Sequence, residues 1–307
     1  MTTSPMNTAP MNTAPMTTAP VLPTLCGRPV PLERPLVMAI VNRTPDSFYD
    51  RGATFTDTSA MARVDAVVDA GADIVDIGGV KAGPGDEVDA EEEIRRVVPF
   101  IEEVRHRHPG VIISTDTWRG EVARRAIAAG ADLVNDTWAG HDPGVLIAAG
   151  EAGAGFVCSH TGGAIPRTRP FRVGYEDVVR DVVDELTAGA ERALAAGVPA
   201  DGVLIDPTHD FGKNTFHGLE LLRRLDEIVA VGHPVLMALS NKDFIGETLD
   251  TDVDGRAEGT LAATAVAAMA GARVFRTHDV PGTLRTLEMV ASIAGTRPPA
   301  RTVRGLA

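Results

Sequence analysis

The stretch that decides the fold is DTSAMARVDAVVDAGADIVDIGG, residues 57 to 79. Its first part places apolar residues at helical spacing, and its last part is a short apolar run typical of a buried strand. Between them, Gly71 can adopt the left-handed conformation that ends a helix. The stretch therefore predicts a helix that turns back into a buried strand, as in repeated βα units.

The same joint recurs at Ala129–Asp132 and Ala270–Arg273. Apolar runs that predict strands occupy residues 36–41, 73–78, 111–116, 132–136, 155–160, 203–206, 235–240 and 273–278. Helical segments are predicted at 57–70, 91–107, 119–129, 175–196, 216–230, 256–270 and 281–294. Eight strands alternating with helices predict a single-domain α/β protein, a parallel (β/α)8 TIM barrel. An open doubly wound sheet is the alternative, but no Gly-x-Gly-x-x-Gly turn follows the first strand.

Composition limits the partners and the location. The chain has 307 residues, with 42 acidic against 29 basic side chains, so its field repels nucleic acid. No stretch approaches the roughly 20 apolar residues of a membrane span. The two cysteines, Cys26 and Cys158, match no metal spacing, and a reducing, cytoplasmic setting is expected.

The domain organisation follows from the same patterns. Residues 1–23 contain a repeated Met-Asn-Thr-Ala-Pro unit, whose proline and small polar residues predict a disordered tail. Residues 24–296 form the predicted barrel, and residues 297–307 a C-terminal tail.

Polar residues stand at the end of nearly every predicted strand. They are Asn42, Asp46, Asp76, Gly78, Gly79, Asp116, Asn135, Asp136, His160, Asp206, Asp210, Ser240, Asn241, Lys242, Arg276 and His278. In a barrel these strand ends converge on one rim, where such enzymes place their sites.

The residue types at this rim indicate two kinds of ligand chemistry. Asp116, Asn135 and Asp206 suit a planar heterocycle with amino and ring N–H donors. By contrast, Lys242, Arg276 and His278 suit a phosphate or pyrophosphate. Each strand-end aspartate taken alone is equally well explained as a helix N-cap, and Arg276 and His278 as partners of local acids. Eight strand ends with the same property favour a ligand site.

A metal is predicted only indirectly. The Asp and His residues have no local metal motif such as His-Glu-x-x-His. Hard oxygen ligands beside a pyrophosphate would suit Mg²⁺, which relies on substrate phosphates.

Seven motifs, in order along residues 24–296, resemble those of the dihydropteroate synthase family. They are Asn42-Arg-Thr-Pro-Asp-Ser-Phe48, Asp73-Ile-Val-Asp-Ile-Gly-Gly79, Ser114-Thr-Asp-Thr117, Val134-Asn-Asp136, Asp206-Pro207 with Phe211-Gly-Lys213, Ser240-Asn-Lys242 with Phe244-Ile-Gly246, and Arg276-Thr-His278. That family condenses 6-hydroxymethyl-7,8-dihydropterin pyrophosphate with p-aminobenzoate and releases pyrophosphate. The resemblance implies a pterin-binding barrel acting in folate biosynthesis as a transferase.

The resemblance also implies roles for individual residues. Asp116, Asn135, Asp206 and Lys242 would hold the pterin and Phe211 would pack near its ring, while Asn42, Arg276 and His278 would hold the pyrophosphate, with Mg²⁺ near Asn42. The catalytic set would be Lys242, Arg276, His278 and Asp46, and the loop carrying Asp46 and Phe48 would close over the second substrate. A homodimer is implied through late helices, where residues 259–271 are rich in alanine.

Departures from the family pattern fall where the second substrate and the pyrophosphate would bind. Ala82 and Gly83 stand where the family has Thr-Arg, and Asn241 and Asp243 stand where it has Arg and Ser. The glycines that usually follow Asp-Pro are replaced in part by His209 and Asp210, and Met-His-Met after the fifth strand becomes Cys158-Ser-His160.

These departures predict a divergent second homologue whose synthase activity is weak or lost. Asp243 adds a negative charge that disfavours a carboxylate ligand. Two alternatives stay open: an inactive pterin-binding homologue with a role outside folate synthesis, and a pterin-dependent transferase with a different acceptor.

Overall fold

The computed structural model describes residues 23–44, 57–168 and 173–304. Its strands are β1 (Thr24–Leu25), β2 (Arg28–Pro29), β3 (Leu36–Asn42), β4 (Ile74–Gly78), β5 (Ile112–Asp116), β6 (Leu133–Asn135), β7 (Gly155–Ser159), β8 (Val203–Asp206), β9 (Leu236–Met237) and β10 (Val274–Thr277). Strands β1 and β2 form an antiparallel hairpin, and the other eight form one parallel sheet.

The parallel sheet runs in the order β8-β7-β6-β5-β4-β3-β10-β9. Its two outer strands are joined by a parallel bridge between Ile205 and Val235 and by a 3.1 Å hydrogen bond from the Ile205 N–H to the Pro234 carbonyl. The sheet therefore closes on itself, and the predicted (β/α)8 barrel is confirmed.

The helices cover the outside of the sheet. They are α1 (Asp57–Asp69), α2 (Ala90–Arg107), α3 (Gly120–Ala128), α4 (Pro143–Ala152), α5 (Val178–Ala195), α6 (Thr215–Arg223), α7 (Leu225–Val229), α8 (Asp243–Leu249), α9 (Ala257–Met269) and α10 (Val280–Ala294). Sequence reasoning missed α4, which is rich in Ala and Gly, and the short α8. It also predicted one helix over 216–230, whereas Arg224 has φ −116° and ψ 30° and separates α6 from α7.

The strands separate two apolar layers. Alternate residues of β3 illustrate this, since Val37 and Ala39 pack outward under the helices and Met38 packs inside the barrel. Leu25 of the hairpin joins the inner layer at the end where the strands begin. Because the inside is apolar there, the polar side chains of the strands collect at the opposite rim.

The predicted glycine joint is present in three units. Gly71, Gly130 and Gly271 have φ of 94°, 114° and 105°, a region that side chains rarely adopt. Among the described residues, no helix is both long and apolar enough to cross a membrane.

Candidate ligand site at the carboxyl rim

The register of the sheet aligns the first four strand ends. Asn42 pairs with Gly78, Gly78 with Asp116, and Asp116 with Asn135, so these residues lie at one level across β3 to β6. The predicted convergence of Asn42, Asp116 and Asn135 on one rim is thus present in the structure.

A network centred on Arg276 forms the floor of the rim. Its Nε donates to Asp76 Oδ2 at 2.6 Å, and its second guanidinium nitrogen donates to Asp116 Oδ2 at 2.8 Å. Asp76 is fully buried and also accepts from the Ser114 hydroxyl at 2.6 Å and from Asn135 Nδ2 at 3.2 Å. A buried carboxylate needs such partners, and sequence reasoning had not identified the part that Asp76 plays in this network.

Two groups of the floor, Asp116 and Arg276, have pKa values shifted from their ordinary values. Burial raises the pKa of Asp116 to about 7, although Arg276 opposes the shift. Burial opposes the charge of Arg276, but Asp76 and Asp116 more than offset it and hold its pKa above the ordinary value. Asp116 can therefore change its protonation state near neutral pH when a ligand brings N–H donors.

Asp206 lies farther round the rim, at the end of β8. Its Oδ1 accepts the Thr208 backbone N–H at 2.7 Å, and burial raises its pKa to about 6. Asn135 completes the acceptor set, since its buried Oδ1 has no hydrogen-bond partner among the described residues. A buried amide oxygen without a partner is costly, and a donor-bearing ligand would satisfy it.

Lys242 lies at the rim and forms an ion pair there. Its Nζ lies 3.0 Å from Asp210 Oδ2 and 5.9 Å from the centre of the Phe211 ring. The predicted pterin residues Lys242 and Phe211 therefore adjoin each other, with Asp210 as a counter-ion that the glycines of the family pattern would not provide.

A second lysine, Lys213, has a structural position that sequence reasoning missed. Its Nζ donates to the backbone carbonyls of His160, Thr208 and Phe211 at 2.9, 3.1 and 3.1 Å. Burial lowers the pKa of Lys213 to about 7. The amine ties the β8–α6 loop to the end of β7, and the Phe-Gly-Lys motif at residues 211–213 was the available sequence signal.

Two of the predicted anion residues, Arg276 and His278, lie two positions apart at the end of β10 and just after it. His278 Nδ1 is 3.0 Å from the Ser240 hydroxyl. The backbone carbonyl of His278 accepts a 2.5 Å hydrogen bond from the Arg63 guanidinium. Asp46 and Phe48, predicted for catalysis and loop closure, lie outside the described residues. The roles of these residues towards a ligand stay predictions.

An apolar cluster covers one side of the rim. Trp138 packs edge-on against Phe211 with ring centres 4.4 Å apart, and against Trp118 at 6.4 Å. Ala82 packs on this cluster. The departure at Ala82 therefore replaces a polar loop side chain by one that contacts the aromatic wall.

Two of the other departures, Asn241 and Asp243, contact Arg256. This guanidinium donates at 2.8 Å to both the Asn241 carbonyl and Asp243 Oδ1. Asn241 has φ 58°, and its backbone N–H donates to the Thr260 hydroxyl at 3.2 Å. The negative charge that Asp243 was expected to add has a cationic partner, Arg256, 13 residues away in sequence.

The site opens into a cavity of about 590 Å³. We call it the outer cavity; its lining includes Gly83, Trp138, His209, Asp210, Phe211, Lys213, Phe216, Lys242, Asp243 and Glu247. His209 is buried, burial lowers its pKa to about 3, and neither ring nitrogen makes a hydrogen bond of normal geometry. His160, in contrast, turns away to Asp181, 2.7 Å from its Nε2.

The fold and the rim define the class of protein: a (β/α)8 barrel whose carboxyl rim carries buried oxygen acceptors. The chain belongs to the pterin-binding enzyme family, whose sequence model, described as "Pterin binding enzyme", matches residues 38–278. The family expected from the motifs is confirmed.

Individual relatives agree with this assignment. A Mycobacterium leprae (strain TN) protein named "Inactive dihydropteroate synthase 2" is 66% identical over 287 residues, covering 92% of this chain and 99% of the relative. The structure of a Yersinia pestis dihydropteroate synthase with a sulfonamide drug complex has a TM-score of 0.83 at 34% identity, covering 89% and 99% of the two chains. A Xanthomonas albilineans dihydropteroate synthase solved with 4-aminobenzoic acid has a TM-score of 0.80 at 39% identity, covering 90% and 99%. The chain is thus dihydropteroate synthase-like, as the sequence predicted.

Proposed function

We propose that this chain binds 6-hydroxymethyl-7,8-dihydropterin pyrophosphate at the carboxyl rim and that its condensation with p-aminobenzoate is weak or lost. The observation that carries the proposal is the buried, unpartnered Asn135 Oδ1, level with Asp116. Together with Asp206, these oxygens offer acceptors to the amino and ring N–H groups of a pterin.

The proposed roles follow the resemblance to the dihydropteroate synthase motifs, and the described positions at the rim support them. Asp116, Asn135 and Asp206 bind the pterin, Phe211 packs against its ring, and Lys242 lies beside it. Asn42, Arg276 and His278 hold the pyrophosphate, whose departure leaves an electron-poor methylene that preorganised charge would stabilise. Asp46, which lies outside the described residues, keeps the catalytic role that the resemblance implies.

Two features support weak turnover. Arg276 contacts two carboxylates and Lys242 contacts a third, so a pyrophosphate must compete for both cations. The aromatic wall at Ala82 and the Arg256–Asp243 pair also change the region in which the second substrate would bind. Close relatives that carry the name inactive dihydropteroate synthase 2 agree with this reading.

Mg²⁺ is proposed as a companion of the pyrophosphate. Within the described part of the chain no group of three or more His, Cys, Asp or Glu residues could hold a metal. Asn42 would supply one oxygen, and the remaining ligands would come from the pyrophosphate and water, which suits Mg²⁺.

Calorimetric titration of the purified chain with the dihydropterin pyrophosphate and Mg²⁺ tests the proposal. Binding to the parent chain should be measurable. It should weaken at least about tenfold in Asn135→Ala, because one buried acceptor is lost. It should be unchanged in Glu102→Gln, whose side chain is exposed on α2. Adding p-aminobenzoate should then release little pyrophosphate. No binding would overturn the pterin assignment, and rapid release would overturn the proposed loss of activity.

The same titration separates the two alternatives. An inactive homologue with a role outside folate synthesis binds the pterin and releases no pyrophosphate with any amine. A transferase with another acceptor binds the pterin and releases pyrophosphate when that acceptor is added. The cytoplasmic location expected from the two free cysteines stays part of the proposal.

A homodimer is proposed through α9 and α10. These helices pack together and leave Val266, Met269, Met289 and Ile293 exposed by 54, 39, 61 and 64%. Exposed apolar side chains at helical spacing on adjacent helices favour association of two copies. Sedimentation should show a dimer that dissociates in Met289→Asp; a monomeric parent chain would contradict the proposal.

A further inference from the structure

The charged groups that line the outer cavity differ in whether they are free to contact a ligand. Three carboxylates, those of Asp210, Asp243 and Glu247, belong to its lining together with Lys213 and Lys242. A ligand with a negatively charged end would need a cation that is not already occupied.

Both lysines of the lining are engaged. Lys242 pairs with Asp210 at 3.0 Å. Lys213 donates to three backbone carbonyls and is 9% exposed. Neither amine can turn to an incoming carboxylate without losing contacts that it now makes.

A third cation, Arg256, is not part of the lining but pairs with Asp243, which is. Its side chain is 13% exposed, and the Asp243 carboxylate that it contacts is 73% exposed. Gly246 makes room for the guanidinium, since a Cβ there would lie 2.6 Å from Arg256 Nε. The arginine is therefore fixed against α8, with the Asp243 carboxylate between it and solvent.

Uncharged groups complete the lining. The rings of Trp138, Phe211 and Phe216 line the outer cavity, as does His209, which its low pKa keeps neutral at physiological pH. These groups offer flat apolar contact and neutral hydrogen bonding, which suit an uncharged aromatic ligand.

We propose that Asp243 occupies, from within the chain, the position against Arg256 that a ligand carboxylate would need, so that the outer cavity takes an aryl amine with an uncharged distal group. The inference rests on the proposed function, because it names the class of second substrate that would meet the pterin at this rim. The Asp243 carboxylate is an intramolecular competitor of any anionic amine, and a carboxamide or hydroxyl avoids that competition.

The test compares p-aminobenzamide with p-aminobenzoate, which differ in charge and little in shape. Both are titrated into the full chain, once alone and once with the dihydropterin pyrophosphate and Mg²⁺ present. The parent chain should bind the amide at least about fivefold more tightly, the effect of one unit charge at contact distance in water.

Variants then assign the preference to Asp243. Asp243→Ser exposes Arg256 and should shift the affinity ratio about fivefold or more towards the benzoate, and Asp243→Asn should do the same if the serine variant folds poorly. The added change Arg256→Gln should abolish that shift, since no cation then remains to be exposed. Glu102→Gln, which removes a charge outside the cavity, should leave the ratio unchanged.

The outcomes separate this inference from the proposed function. Equal or tighter binding of p-aminobenzoate by the parent chain, an unchanged ratio in Asp243→Ser, or no binding of either amine under either condition overturns the inference. Absence of pterin pyrophosphate binding defeats the proposed function, while the titrations without pterin still decide the amide preference.

Discussion

Replacing Asp76 by alanine should destabilise the barrel by about 3–5 kcal/mol, the usual cost of removing one partner of a buried ion pair. Asp76 is fully buried and accepts from Arg276, Ser114 and Asn135. The substitution leaves the guanidinium with Asp116 as its remaining carboxylate partner. It also leaves the Ser114 hydroxyl and the Asn135 amide without this acceptor, at about 1 kcal/mol or more each.

Urea unfolding followed by far-ultraviolet circular dichroism measures the loss. Asp184→Ala on α5 is the matched control, since the same change at a side chain 72% exposed should cost about 0.5 kcal/mol or less. Asp76→Ala combined with Arg276→Met should recover much of the stability, because the uncompensated charge is then removed as well.

A loss below about 1 kcal/mol for Asp76→Ala would refute the reasoning. It would mean that water reaches Arg276 or that Asp116 alone compensates the charge. No recovery in the double variant would mean that packing of the carboxylate, and not the charge of Arg276, determines the cost.

Three further outcomes are expected. The folded-state pKa of Asp116 is raised to about 7 from an ordinary 3.8. Its contribution to the stability of the unliganded protein is therefore full below about pH 4 and is lost as the pH rises through about 7. Unfolding scans of the parent chain and of Asp116→Asn should diverge accordingly, and parallel curves would contradict this. Lys213→Met should lower the free energy of unfolding by about 2–4 kcal/mol because three buried carbonyls lose their donor, and a loss under about 1 kcal/mol would show that water replaces the amine. Gly155→Ala should cost about 1–3 kcal/mol in thermal unfolding because its Cβ would lie 2.5 Å from the Cys26 sulfur, whereas Gly110→Ala, with open space around it, should be nearly neutral.

The sequence by itself determined the barrel and the rim. Apolar periodicity and a glycine at several helix ends are local signals, and Gly71, Gly130 and Gly271 have the positive φ that the motif requires. Once eight parallel strands are accepted, topology alone brings the strand ends together, so Asp116 and Asn135 could be predicted as neighbours. Helix α4 was not predicted from the sequence because its Ala- and Gly-rich segment lacks the polar face that would show a helical period.

The tertiary structure alone decided which charges pair. Arg276, expected to face a pyrophosphate, contacts Asp76, 200 residues away in sequence, and Asp243 pairs with Arg256, the residue before α9. Such pairs depend on how far a side chain extends towards neighbouring strands and on how exposed to solvent the pair is. Neither quantity is encoded in local sequence spacing. For that reason the sequence identified the residues of the rim, and only the folded chain showed which of them remain available to a ligand.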